Sequence, residues 1–106
     1  MSVCVVLITA PQGSEPRRLA KLLLEKKLCA CVNIIKSVDS LFWWKGKIDH
    51  AQESLLVIKT RKDRLASLIK AVKAAHSYAV CEIIALPITA GNKDYLNWIV
   101  ASCRRR

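Results

Sequence analysis

His76, Cys81 and Glu82 set an imidazole, a thiol and a carboxylate close together in the chain, a donor mixture suited to a soft or borderline metal such as copper or zinc. The same histidine also fits an ordinary helix end, where an imidazolium meets the negative pole of the helix dipole. Cys29-x-Cys31 puts two thiols on one side of an extended segment. Free cysteine is among the most buried residue types, so this pair reads as small core residues. Trp43 and Trp44 stand beside Lys45 and Lys47, the aromatic and basic interleaving that stacks single-stranded nucleic acid bases. Consecutive strand residues point to opposite faces, so at least one tryptophan is expected in the sheet or at a contact between copies. There is no Gly-x-Ser-x-Gly elbow, no phosphate-cradling glycine loop and no His-Glu-x-x-His, and only eight acids are present, so the sequence predicts no enzyme.

The elements that must position these groups follow from periodicity. Ser2 to Thr9 is apolar and β-branched throughout, as in a central strand covered on both faces. Ser14 is placed to cap a helix with Pro16 in its first turn, and Leu19, Leu22 and Leu23 form one face of that helix, which runs to about Lys27. Ala30 to Val38 predicts a second strand that continues through Ser40 to Trp44, turns at Lys45-Gly46-Lys47 and returns through Ser54 to Thr60, a long antiparallel hairpin tipped with Phe42, Trp43 and Trp44. Leu65, Leu68, Ile69 and Val72 define a second helix from Lys62 to about Ala75. Val80 to Thr89 predicts a strand in which Pro87 requires an edge or a bulge, and Asn92 caps a last helix bearing Tyr95, Trp98 and Ile99. The order is βαββαβ plus one helix, an α+β ferredoxin-like sandwich spanning residues 1–103, with Arg104, Arg105 and Arg106 as a basic tail. One helical layer leaves nearly continuous apolar strands uncovered on the other face, which predicts self-association.

The 106 residues suit one domain and are too few for two. At 53% hydrophobic with three Gly and three Pro, the chain builds a core and is neither disordered nor collagen-like. Eighteen Lys and Arg against eight Asp and Glu give a net charge of +10. Such an excess raises nucleic acid or an acidic protein as a partner, through a salt-sensitive and non-specific contact. No apolar run approaches the roughly 20 residues of a membrane-spanning helix, and Met1-Ser2 lacks the basic start of a signal peptide. Five cysteines without a Cys-x-x-Cys pair suit reduced thiols in the cytoplasm.

Several motifs together resemble the CutA family, the divalent-cation tolerance proteins. They are Thr9-Ala10-Pro11, Leu28-Cys29-Ala30-Cys31-Val32-Asn33, Phe42-Trp43-Trp44-Lys45-Gly46-Lys47, Ile58-Lys59-Thr60, His76-Ser77-Tyr78, Glu82-Ile83-Ile84 with Leu86-Pro87, and Gly91 with Tyr95-Leu96-x-Trp98, covering nearly the whole chain. The resemblance implies a homotrimer of ferredoxin-like subunits, similar in architecture to the trimeric nitrogen-signalling regulators, with a role in tolerance of divalent metals, chiefly copper, and no established reaction. It also implies clefts between subunits that would take a small ligand or metal using Trp44, Glu53, Lys59, His76 and Tyr78. The copper ligands associated with some members fall at positions that hold Ile8, Ala75 and His76 here, so two of the three are absent.

Overall fold

A computed structural model describes residues 2–104 and contains β1 (Val3–Pro11), α1 (Glu15–Glu25), β2 (Cys31–Trp44), β3 (Lys47–Arg61), a 3₁₀ turn (Lys62–Arg64), α2 (Leu65–Ala75), β4 (Ile83–Pro87) and α3 (Lys93–Ser102). Arg105 and Arg106 of the expected tail lie outside the described residues. The four strands form one antiparallel sheet in the order β2-β3-β1-β4. This is the expected α+β ferredoxin-like arrangement with its extra C-terminal helix, and β1 is interior as its composition requires.

Alternation along the strands divides the sheet into two faces. Val6, Ile8, Leu56 and Ile58 point to the helical side, where they are fully buried with Leu19 and Leu23 of α1 and Leu68 and Val72 of α2. Burying each such side chain contributes on the order of 1.5–3 kcal/mol, so this layer holds the subunit together. Val3, Ala30, Ile99 and Cys103 make a second, smaller cluster where α3 closes one end of the sheet. The opposite face carries Val5, Leu7, Leu55 and Val57, half-buried, with Ile35, Ile84 and Leu86 about half exposed. Leu7 pairs with Val57 and Ile84, and Val5 with Leu86, so these apolar residues adjoin.

Several local features differ from expectation for identifiable reasons. Ser14 occupies the N-cap of α1 but its side chain makes no capping hydrogen bond. α1 ends at Glu25 rather than Lys27, because Lys27 takes a left-handed φ of 57° while the Lys27 N–H reaches the Leu24 carbonyl and the Leu28 N–H the Leu23 carbonyl. These two bonds form a Schellman stop, sealed by Leu28 and Leu23 in the same core. The strand expected over Val80–Thr89 spans only Ile83–Pro87. Its ladder with β1 ends at the Ile8–Ile83 pair, since the next carbonyl along β1, Thr9, is bonded by His76. β4 is an edge strand, which accommodates Pro87. Asn92 caps α3 as expected, its Oδ1 accepting from the Asp94 N–H at 3.0 Å. Arg64, itself buried, donates from Nε and Nη2 to the Cys103 carbonyl at 3.0 and 2.9 Å, satisfying the far end of α3.

Candidate functional site

The end of β1 and the segment after α2 bring a polar network together. His76 sits at the C-cap of α2, where extended backbone turns its ring back toward β1. Its Nε2 lies 2.8 Å from the Thr9 carbonyl, and its Nδ1 accepts the Tyr78 N–H at 3.0 Å. A carbonyl cannot donate, so Nε2 carries the proton and the imidazole is neutral, with both nitrogens engaged. The Tyr78 ring lies 4.9 Å from the imidazole, and its hydroxyl donates to Glu53 Oε2 at 2.9 Å. Glu53 is only 5% exposed although it is charged by composition, so this phenol supplies a hydrogen bond that burial makes necessary. Burial, then the hydrogen bond to Glu53 and its negative charge, push the Tyr78 hydroxyl up to about 12.

Glu15, on the first turn of α1, completes the network. Its Oε2 accepts the Ser77 N–H at 2.9 Å and lies 3.4 Å from His76 Nδ1. That separation is not an ion pair, because the Nδ1 lone pair already faces the Tyr78 N–H. Burial alone raises the Glu15 carboxyl, but the Ser77 hydrogen bonds and Arg18 outweigh it and hold the group below its ordinary range. Sequence reasoning missed Thr9, Glu15 and Ser77. Their joining depends on α1 and the post-α2 segment meeting over the end of β1, and no local spacing records such a contact.

The residues expected to act in inter-subunit clefts fall in three places. Glu53, His76 and Tyr78 form the network just described. Trp44 lies at the hairpin tip, 47% exposed, beside Trp43 at 73% and Phe42 at 38%. Lys59 stands across from Cys31 and Val5 on the uncovered sheet face, and its Nζ donates to Asn33 Oδ1. The Cys31 thiol also reaches Asn33 Oδ1, at 3.8 Å. Burial first, then the neighbouring Cys31 thiol, raise the Tyr95 hydroxyl on α3. This second cluster, Cys31, Asn33, Lys59 and Tyr95, was not anticipated beyond Lys59.

The expected metal donors are not gathered. Cys81 packs partly buried against the helical core, Glu82 is exposed, and among the described residues no three His, Cys, Asp or Glu side chains converge on a point. A coordination shell for a divalent metal requires several converging donors. With both His76 nitrogens committed, the donors of one subunit do not fit such an ion. Cys29 is buried and its thiol pushed up to about 12, by burial first and then by Cys103 and Cys31, as expected of an inert core thiol.

A model of the CutA1 divalent ion tolerance protein family matches residues 4–102. The chain is 47% identical over 100 residues to Protein CutA 1, chloroplastic, of Oryza sativa subsp. japonica, covering 94% of this chain and 56% of that protein, so it spans about half the length of that relative. It is 50% identical over 94 residues to the divalent-cation tolerance protein CutA of Archaeoglobus fulgidus, covering 89% of this chain and 91% of that one. The crystal structure of CutA1 from Oryza sativa superposes with a TM-score of 0.96 at 44% identity, over 100% of this chain and 97% of that chain.

Proposed function

The chain belongs to the CutA1 divalent ion tolerance family, and from that premise we propose that it acts as a non-enzymatic homotrimer serving divalent-metal tolerance, with copper the foremost metal. Its ligand sites are clefts between subunits, where a small molecule or metal ion meets Glu53 and Tyr78 from one copy and Trp44 or Lys59 from another. Binding there signals through the assembly rather than through a reaction.

The observation that carries this reading is the apolar sheet face left open by the helices, continuous with an aromatic hairpin tip. Phe42 and Trp44, 38% and 47% exposed, share the parity of Glu53 and extend that face, and on the other side of the ribbon Leu41 and Trp43 are each 73% exposed and Ile48 65%. Monomeric proteins rarely expose so much contiguous apolar surface, and a closed symmetric assembly removes it. The neutral, doubly bonded His76 fits a positioning role for Tyr78 better than a ligand role. All five cysteines are free, which suits a reducing compartment such as the cytoplasm. No helix of the described residues is long and apolar enough to cross a membrane.

Sedimentation equilibrium tests the assembly: three copies of an 11.9 kDa chain are expected down to micromolar concentration. A folded monomer there would overturn the reading. Titration with Cu²⁺ tests the metal arm, with weak binding expected from one subunit's donors. A soft Cu⁺ ion recruits the Cys81 thiol, so Cys81→Ser lowers Cu⁺ affinity in a competition titration while His76→Ala does so only by releasing Tyr78. An unchanged Cu⁺ titration in Cys81→Ser removes that residue from any metal role.

A further inference from the structure

Where α1 begins, helix and sheet leave a cavity of about 400 Å³ bounded by Gln12, Gly13, Arg17, Ile34, Lys36 and Ser54. It lies over the β2 bulge, between the pairs Ile35–Leu55 and Val38–Glu53, where Lys36 and Ser37 have no partner in β3 and Ser54 stands opposite them. Ser37 holds a left-handed φ of 60°, and Gln12 Oε1 clamps it by accepting its N–H at 2.6 Å and its hydroxyl at 3.2 Å. This clamp fixes the loop that carries Lys36 beside the first turn of α1. Alternation along β3 sends Ser54 to the helical side and Glu53 to the other, so the cavity is separate from the Tyr78 network.

Three features of the cavity point to an anion. Arg17 and Lys36 both line it, and among the described residues neither has a carboxylate within ion-pair distance. α1 has no side-chain cap, so although Pro16 carries no N–H, Ser14 does not occupy the Arg17 amide beside the cavity, and an uncapped helix start attracts negative charge. The third feature is independent of the helix. Ser54 is only 3% exposed, yet its hydroxyl takes part in none of the side-chain hydrogen bonds among the described residues. Ser54 lines the cavity, so a group bound there can take up its hydroxyl. The nearest acid on α1, Glu15, is turned away to Ser77.

We propose that this cavity binds the phosphate group of a small phosphate ester. Arg17 and Lys36 supply two positive charges to a dianion, the guanidinium by a paired hydrogen bond and the ammonium as a point charge. Ser54 Oγ and the Arg17 amide complete the contacts. A volume of about 400 Å³ exceeds what a single tetrahedral ion fills and lies in the range of small-molecule sites, so the rest of the ester lies along Ile34 and Pro16.

The test is a titration of the native assembly, followed by amide chemical shifts, with glycerol phosphate, inorganic phosphate and acetate at constant ionic strength set by sodium chloride. Saturable shifts centred on Gly13 to Glu15, Arg17 and Lys36 to Ser37 are expected for the ester. Arg17→Gln and Lys36→Gln, both at exposed positions, are expected to weaken binding about tenfold each, corresponding to the loss of one charge-assisted contact. Ser54→Ala weakens it severalfold with the fold intact, whereas Lys70→Gln on α2 has no effect. Equal binding of inorganic phosphate identifies the free ion as the occupant and removes the ester from the proposal. Acetate binding as well as the phosphates, affinity unchanged in all three variants, or shifts that chloride alone reproduces would each overturn it. None of these outcomes bears on trimer formation, which is read separately by sedimentation.

Discussion

The β2–β3 hairpin is a single ladder interrupted by one bulge, and its two halves live in different physical circumstances. Below the bulge, Val32 and Ile34 of β2 and Leu56 and Ile58 of β3 pack against α1 and α2. Above it, Leu41 to Trp44 and Lys47 to Gln52 are largely exposed, with no layer of their own chain over them. Backbone pairing is equally regular in both. A two-stranded ribbon is marginal in water by itself, so the lower half is held by its own subunit and the upper half calls for a surface supplied from outside. In the proposed trimer a second copy supplies that surface, which makes stability and assembly separable along a single pair of strands.

The largest way to break this contrast is in the lower half. Leu56→Ala removes a fully buried side chain from the helical layer and is expected to lower folding stability by about 3 kcal/mol. Thermal or denaturant unfolding reads the loss, and it should appear at any protein concentration. In the upper half Trp44→Ala removes a half-exposed ring that the subunit itself does not need. The expected effect is about 2 kcal/mol on association, seen as concentration-dependent dissociation with circular dichroism unchanged. An intact trimer together with weakened single-stranded oligonucleotide binding would instead assign the tip to base stacking.

This contrast also separates what the sequence makes legible from what it does not. The strands, the helices and the hairpin with its turn follow from local patterns, because Leu65, Leu68 and Val72 or the alternation around Leu56 encode which face is buried. The uncovered face is legible too, since β1 is apolar at both parities. Boundaries governed by tertiary bonds are not: β4 is shortened where His76 takes the Thr9 carbonyl, 67 residues away in sequence. The candidate site divides in the same manner. His76 and Tyr78 are neighbours and their partnership is local, whereas Glu15 and Ser77 meet across 62 residues. Cys81 and Glu82 look like donors beside His76 in sequence, yet the chain past Tyr78 carries them elsewhere, one half-buried against the core and one to the surface.

Tyr78→Phe probes the boundary between the halves, where Glu53 pairs with Val38 just above the bulge. Loss of the phenol leaves a buried carboxyl without its donor and is expected to cost about 1–2 kcal/mol near neutral pH. The pH dependence gives a sharper signature. The Tyr78 proton is held more tightly in the folded chain, with its ionisation raised from 10.0 to about 12. Its contribution is therefore complete below the unfolded value and is lost as pH rises through that window. In the wild type this adds to the loss from Cys29, raised from 9.0 to about 12, and the phenylalanine variant should show a shallower alkaline limb. Identical limbs in the two proteins would show that Tyr78 does not keep this bond in solution.

The smallest effect tests whether the upper half is shaped by its own turn or by its neighbours. Lys45 and Gly46 have φ of 51° and 77°, the paired left-handed geometry of a two-residue turn whose twist matches that of the strands. A Cβ on Gly46 would meet nothing within 4 Å, so no steric contact opposes a side chain and only backbone strain remains. Gly46→Ala should thus cost about 1 kcal/mol, while Gly46→Asn, whose side chain tolerates the left-handed region, should recover most of it. If the turn alone sets the tip, Ala lowers trimer affinity slightly by loosening the Trp43 and Trp44 rings, Asn restores it, and subunit unfolding barely moves. Equal losses for Ala and Asn would mean that the space beside Gly46, open in one chain, is filled by another copy. The turn would then belong to the interface itself, and the boundary between self-sufficient and partner-dependent structure would extend to the last residue of the hairpin.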